Sequence, residues 1–370
     1  MTAGPFRPTA AVVDLEAVRH NVGALKPPEA ELMAVVKANA YGHGDVPVSR
    51  AALEAGATWL GVALVEEGLR LRDGGIDAPI LVLTEFPRGS EKEALAAGLT
   101  PTVYTDEGVA LLAEAAATLG RPVPVHLKLD TGMHRVGLLP EHAPALCRRV
   151  LEAGLELDGV WTHFAVAEEP DDPSAGMQLE RFLLALEELA GAGIRPRYRH
   201  AANSAAVIGL PESHLDLVRV GIALYGISPG PALDGRADLR PAMSLRSRVT
   251  LAKRVAAGEG VSYGLRYRLE RESTVATVPV GYADGYHRAA SGRAEVLIRG
   301  RRYPVAGTVT MDQITVDCGD DSVGPGDEVV LFGTQGDEEI RVEELAGWAG
   351  TIGYEVVCAV GPRVSREYRG

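Results

Sequence analysis

One lysine stands where an amine can become a nucleophile. The run Ala34-Val35-Val36-Lys37-Ala38-Asn39-Ala40-Tyr41-Gly42-His43-Gly44 begins as a short apolar stretch, the mark of a buried strand. Turn-forming residues follow the lysine, so Lys37 sits at a strand's mouth. Partial burial disfavours its cation and lowers its proton affinity. A neutral amine there can attack a carbonyl and form a Schiff base. A snorkelling lysine at a strand end is the plainer reading of the same residue.

Other polar residues gather at the ends of apolar runs. Residues 128–135 read Lys-Leu-Asp-Thr-Gly-Met-His-Arg, with Lys128 and Arg135 at the two ends. Arg219 lies inside an apolar run, where a guanidinium that stays charged needs partners. His163, in Trp161-Thr162-His163, is one candidate partner, or else a satisfied core histidine. Asn203, Ser204, Gly221 and Ile222 follow two late strands, a place where barrels bind phosphate through exposed backbone amides. A plain turn is the alternative for the Gly-Ile pair. Tyr263, in residues 258–264 (Gly-Glu-Gly-Val-Ser-Tyr-Gly), is either a hairpin tyrosine or an acid/base group. The nine histidines show no HExxH pair, so no metal is expected.

The elements that must position these groups alternate. Apolar, β-prone runs fall at 33–36, 59–64, 79–84, 101–104, 123–129, 157–163, 197–201 and 215–220, with helical patterns between them. Strand and helix alternating eight times predict a (β/α)8 barrel. A doubly wound open sheet is the alternative, weakened by the lack of GxGxxG after a strand and of a P-loop. By the strand reading, all the residues above fall on the C-terminal rim of the barrel. An earlier run at 10–13 precedes a helix over 14–26. Residues 228–241 are rich in Pro and Gly and read as a linker. Beyond it, runs at 246–255, 274–280, 294–298, 303–309, 313–317 and 328–332, with a turn at 300–302 and a short helix near 342–348, predict a mostly antiparallel β domain. The expected domains are residues 1–230 and 231–370.

Composition bounds the rest. The chain has 370 residues, 46% hydrophobic and 24% charged, as in an ordinary globular protein. A formal charge of -13 argues against a nucleic-acid or anionic-membrane surface. The three cysteines, Cys147, Cys318 and Cys358, form no disulfide framework or CxxC pattern. Residues 1–10 lack a basic start and apolar core, so no secretory signal is expected, and no apolar run is long enough to cross a bilayer. A cytoplasmic protein is the simplest reading.

The lysine run resembles the motif of the alanine racemase family, and the resemblance extends over nearly the whole chain. It continues through the segments named above and through Gly281-Tyr282-Ala283-Asp284-Gly285-Tyr286, Met311-Asp312-Gln313 and Tyr354-Glu355-Val356. It implies that Lys37 carries pyridoxal 5'-phosphate, with phosphate contacts from Tyr41, Ser204, Gly221, Ile222 and Tyr354 and with Asn203 beside them. It implies that Arg219 faces the pyridine nitrogen and that His163 orients Arg219. It implies Lys37 and Tyr263 as the two acid/base groups, Tyr263 reaching the site of the other subunit of a homodimer. Arg135 and Met311 then hold the substrate carboxylate. Lys128 matches a lysine carbamylated in some relatives, and Tyr282, Arg288, Ile352 and Tyr354 resemble residues that narrow the substrate corridor. The implied reaction interconverts L- and D-alanine, supplying D-alanine for peptidoglycan. Two departures stand near the corridor: Gly307-Thr308 where the family often has Gly-Arg, and Gly353 where it often has Asn. A racemase for serine, a barrel decarboxylase and a non-catalytic pyridoxal-binding protein are the alternatives. Arg219 in place of a carboxylate, and the absence of a catalytic Cys motif, weigh against the decarboxylase. The β domain with Tyr263 weighs against the non-catalytic protein.

Overall fold

A computed structural model describes residues 6–370; residues 1–5, half of the segment read for a secretory signal, lie outside the described residues. The chain forms two compact units that interleave along the sequence. One comprises residues 17–40 and 45–240. The other comprises the described N-terminal residues up to Glu16, residues 41–44 and residues 241–370.

The first unit is an eight-stranded parallel barrel. After β1 (Ala10–Asp14), which belongs to the other unit, its strands are β2 (Glu31–Val35), β3 (Trp59–Val62), β4 (Ile80–Val82), β5 (Leu99–Val103), β6 (Pro124–Lys128), β7 (Glu156–Trp161), β8 (Tyr198–His200) and β9 (Leu217–Val220). Hydrogen-bonded order runs β8-β7-β6-β5-β4-β3-β2-β9. Two isolated amide bonds nearly close the seam between β8 and β9, Asp216 to the Arg199 carbonyl at 3.1 Å and Arg219 to that of Ala202 at 3.0 Å. All eight predicted runs are strands. Parallel strands covered on both faces read as near-continuous apolar runs, which is why they stand out in the sequence.

The second unit is mostly antiparallel. Its larger sheet runs Arg301–Pro304, Glu295–Ile298, Glu328–Gln335, Met243–Arg248, β1 and Ser365–Arg369, the last pair being parallel. A smaller sheet holds Leu251–Val255, Ser273–Val278 and Ile314–Asp317. The run read as one strand over 246–255 is two strands in different sheets. At the break, the Val249 amide turns to the Asp327 carbonyl and the Thr250 amide to that of Thr277. The turn expected at 300–302 is tighter, because Arg299 and Gly300 both take left-handed φ (53° and 70°) and the strand resumes at Arg301. The run expected over 303–309 stops at Pro304. The short helix spans Val342–Ala349. The helix Gly353–Ala359 and the strand Ser365–Arg369 were not expected. Among the described residues no helix is long and apolar enough to cross a membrane.

Candidate active site

Lys37 follows β2 and is half-buried. The backbone beyond it is unusual: Ala38, Asn39, Ala40 and Tyr41 all have left-handed φ, from 52° to 55°. Each such L-residue costs about 1–2 kcal/mol, so neighbours must fix the turn. Glu67, buried at the start of the helix Val65–Asp73, does much of this. Its carboxylate accepts the amides of Ala38 at 2.6 Å, Ala63 at 2.8 Å and Leu64 at 3.1 Å. Asn39 Oδ1 accepts the Asp45 amide, and the Tyr225 hydroxyl donates to the Val35 carbonyl at 2.9 Å. The strain therefore sits where the amine is presented.

Lys128 ends β6 and is 4% exposed. Burial first, and then the charges of Arg219, Arg135 and Lys37, bring its pKa from 10.5 to about 7 against the opposing pull of Asp130. These four cations thus share one region. Asp130 offers them little, since its Oδ1 accepts three amides of its own turn, from Gly132, Met133 and His134. A cation-rich rim of this kind suits an anionic ligand. Arg135 itself is exposed.

Arg219 lies in β9 and is 3% exposed. Burial alone draws its pKa down to about 9. Its Nη2 donates to the carbonyls of Thr162 at 2.6 Å and Ala201 at 2.9 Å and to His163 Nδ1 at 3.3 Å, and its Nη1 donates to His200 Nδ1 at 3.1 Å. Its guanidinium also lies over Trp161, at 4.7 Å. Burial, with Arg219, Lys128, Arg135 and Lys37 nearby, holds His163 far below its ordinary pKa, so it is a neutral acceptor.

After β8, Asn203 caps the helix Ser204–Gly209, its Oδ1 accepting the Ala206 amide at 3.0 Å. Ser204 is buried, and its hydroxyl oxygen accepts the amides of Gly221 at 2.8 Å and Ala223 at 3.4 Å. The buried Ile222 opens the short helix that follows Gly221. Asn203, Ser204, Gly221 and Ile222 therefore form one cluster.

In the other unit, Tyr263 sits on a hairpin tip between Gly260–Val261 and Tyr267–Arg268, 75% exposed. The tip is wound tightly, with left-handed φ at Ser262, Gly264 and Leu265. Thr308, one of the departures noted above, donates its hydroxyl to the Tyr263 carbonyl at 2.9 Å, and Ser262 donates its own to the Thr308 carbonyl at 2.7 Å. A cavity of about 460 Å³ beside the tip is lined by Tyr263, Leu265, Thr310 and Gln313. Met311 is exposed and adjoins the Tyr282 segment: the Tyr282 amide donates to the Thr310 carbonyl and the Ala283 amide to that of Met311. Tyr282, Arg288 and Ile352 are exposed. The rings of Tyr41 and Tyr354 stand 6.3 Å apart.

His126, Glu67 and the role of His200 escape the sequence reading. One signal was there: His126 and Lys128 are two apart in β6, so they share a face.

Residues 13–229 match the family model described as alanine racemase, N-terminal domain, and residues 242–368 match that described as alanine racemase, C-terminal domain. The chain is 53% identical over 369 residues to a curated alanine racemase of Symbiobacterium thermophilum, covering 99% of this chain and 98% of the relative. It is similar to the crystal structure of alanine racemase from D-cycloserine producing Streptomyces lavendulae, with a TM-score of 0.94 and 45% identity over 100% of this chain and 98% of that one. The alanine racemase of Streptomyces coelicolor A3(2) gives 0.93 and 45%, with 98% of each chain covered.

Proposed function

The chain belongs to the alanine racemase family, and from that premise we propose that it interconverts L-alanine and D-alanine with pyridoxal 5'-phosphate, supplying D-alanine for peptidoglycan. The reading includes a cytoplasmic homodimer, a cofactor-holding domain over residues 1–230 and a domain over 231–370 that carries the acid/base tyrosine.

The residues fit the cofactor by their chemistry. Lys37 offers a half-buried amine to its aldehyde. Arg135 and Arg219 keep the region around Lys128 cationic, which suits an anionic ligand. Ser204, with the Asn203, Gly221 and Ile222 segment, offers hydroxyl and backbone donors for its phosphate, as do the phenols of Tyr41 and Tyr354. The observation that carries the reading is Arg219: a buried guanidinium whose neighbours are carbonyls, imidazoles and an indole, with no carboxylate hydrogen-bonded to it among the described residues.

When bound, pyridoxal 5'-phosphate supplies the electron sink for the bond pair at the substrate Cα. Lys37 Nζ then takes or returns the Cα proton on one face, and the phenol of Tyr263, from the partner subunit, does so on the other. Acid–base help of this kind is worth roughly 10²–10⁴-fold per group. Arg219, oriented by His163, would hold the pyridine nitrogen of the cofactor while keeping its own proton, which would leave a weaker electron sink and favour return of the proton to Cα. Arg135 and the Met311 backbone hold the substrate carboxylate. Tyr282, Arg288, Ile352 and Tyr354 narrow the approach. The neutral share of the Lys128 amine attacks carbon dioxide, losing a proton to give a carbamate that faces Arg135.

The test uses purified protein with pyridoxal 5'-phosphate and L-alanine in deuterated buffer, following optical rotation and Cα deuterium together. Decay of rotation with deuterium entering Cα is expected. A pyridoxal-bound protein showing neither signal would overturn the reading and direct the search to serine and other amino acids.

A further inference from the structure

Arg219 is a donor at every nitrogen, so each imidazole it touches must accept. His200 Nδ1 therefore carries no proton, and the proton of its neutral ring sits on Nε2. That nitrogen lies 2.9 Å from His126 Nδ1, which must accept in turn. The His126 proton is thereby placed on Nε2, a buried atom with no hydrogen-bond partner among the described residues. It points toward Asp158 Oδ2, 3.7 Å away. Donation thus runs one way from the Arg219 guanidinium through His200 to His126, whose remaining N–H faces the Asp158 carboxylate across a gap longer than a hydrogen bond.

The surroundings are built for this line. His200 stacks on Trp161 with ring centres 5.7 Å apart and planes 12° apart, while His126 packs against both Trp59 at 5.3 Å and Tyr198 at 6.1 Å. Both histidines are 0% exposed, and burial lowers the pKa of each, so both are neutral. Gly159, paired with His126 across β6 and β7, leaves the room the ring needs: a Cβ there would meet His126 Nδ1 at 2.4 Å. Asp158, third in β7, lines a cavity of about 470 Å³ with Glu31, Trp59, Pro124 and Tyr198, all at or near strand beginnings. The line therefore leaves the C-terminal rim and ends at the opposite mouth of the barrel.

We propose that His200, His126 and Asp158 are positioning residues for racemisation, forming a relay that ties the Arg219 guanidinium to a carboxylate at the far mouth of the barrel. Hydrogen bonds in series polarise one another. The Asp158 charge draws on His126, which sharpens His200 Nδ1 as an acceptor and fixes the plane and charge of Arg219. The relay rests on the reading of Arg219 as the group that meets the pyridine nitrogen.

The test pairs Asp158→Asn with Asp158→Glu, at a residue near the barrel mouth where folding is least at risk. In unloaded, ¹⁵N-histidine-labelled protein, His200 and His126 should both show a protonated Nε2 and a bare Nδ1. Asp158→Asn should leave those tautomers, which Arg219 dictates, but shift the His126 Nε2 signal. In the pyridoxal-loaded protein it should lower kcat roughly tenfold, the scale on which outer partners of a binding side chain act, with KM little changed. Asp158→Glu should restore both. Native protein with Nδ1 of His200 protonated would overturn the relay, as would Asp158→Asn with unchanged nitrogen signals or unchanged kcat. A native protein that fails to racemise alanine defeats the reading of the activity, while the nitrogen signals still decide the relay.

Discussion

Lys128 and Arg219 share one aromatic neighbour: the Lys128 ammonium nitrogen lies 4.3 Å and the Arg219 guanidinium carbon 4.7 Å from the ring of Trp161. Two buried cations on one indole describe a site that concentrates positive charge before any ligand arrives, and that concentration costs stability.

The cost has a sign and a pH window. Native Lys128 binds its proton more weakly than the unfolded chain does, about 7 against 10.5. Between those values the unfolded state holds more protons, so this residue's contribution to stability rises with pH across the window, and its burden is fully present below about pH 7. The full difference corresponds to at most ~5 kcal/mol, offset by the indole contact. In bicarbonate-free buffer, Lys128→Met should be more stable than the parent near neutral pH by roughly 1–3 kcal/mol, with the gain fading toward pH 10.5. Urea unfolding at a series of pH values measures this, and a gain independent of pH would refute it.

Tyr263 makes the opposite case, a residue whose loss should be felt in chemistry and not in folding. Its ring is 75% exposed, and its backbone is held by Thr308 and by the wound hairpin. Tyr263→Phe should cut turnover of L-alanine by about 10²–10⁴-fold and move stability by no more than about 0.5 kcal/mol. Steady-state kinetics beside thermal unfolding provides the check. Near-normal racemisation by the variant would remove Tyr263 from the two-base scheme.

Glu67 should couple stability to cofactor retention. One carboxylate receives three amides, including that of Ala38 next to Lys37. Glu67→Gln replaces one acceptor oxygen with a donor and leaves an amide facing it, at about 1–3 kcal/mol. The left-handed turn loosens with it, so pyridoxal should dissociate faster. Dialysis followed by absorbance reads the second effect; unchanged retention with lowered stability would separate the turn from the site.

The barrel was legible because its strands are buried on both faces, and Met33, Leu60, Leu81 and Leu127 announce themselves by apolarity alone. The 246–255 run was misread because the sequence does not record that Val249 and Thr250 bond to different neighbours. Lys37 and Tyr263 are proposed as the acid/base pair from the motifs around them. The sequence holds no trace of the pairing between His126 and His200, which lie 74 residues apart. Its direction follows from Arg219 having only protons to offer.

The place of β1 bears on how the chain is made. It lies between Met243–Arg248 and Ser365–Arg369 in the larger sheet, yet both of those strands are synthesised long after it. At synthesis rates of about 5–20 residues per second, it waits for its parallel neighbour until Ser365–Arg369 is made. The barrel strands can pair during that interval, whereas the sheet that depends on β1 is completed only once Ser365–Arg369 has emerged. Ala11, Val12 and Val13, buried in the finished sheet, therefore stay uncovered in the nascent chain throughout that interval.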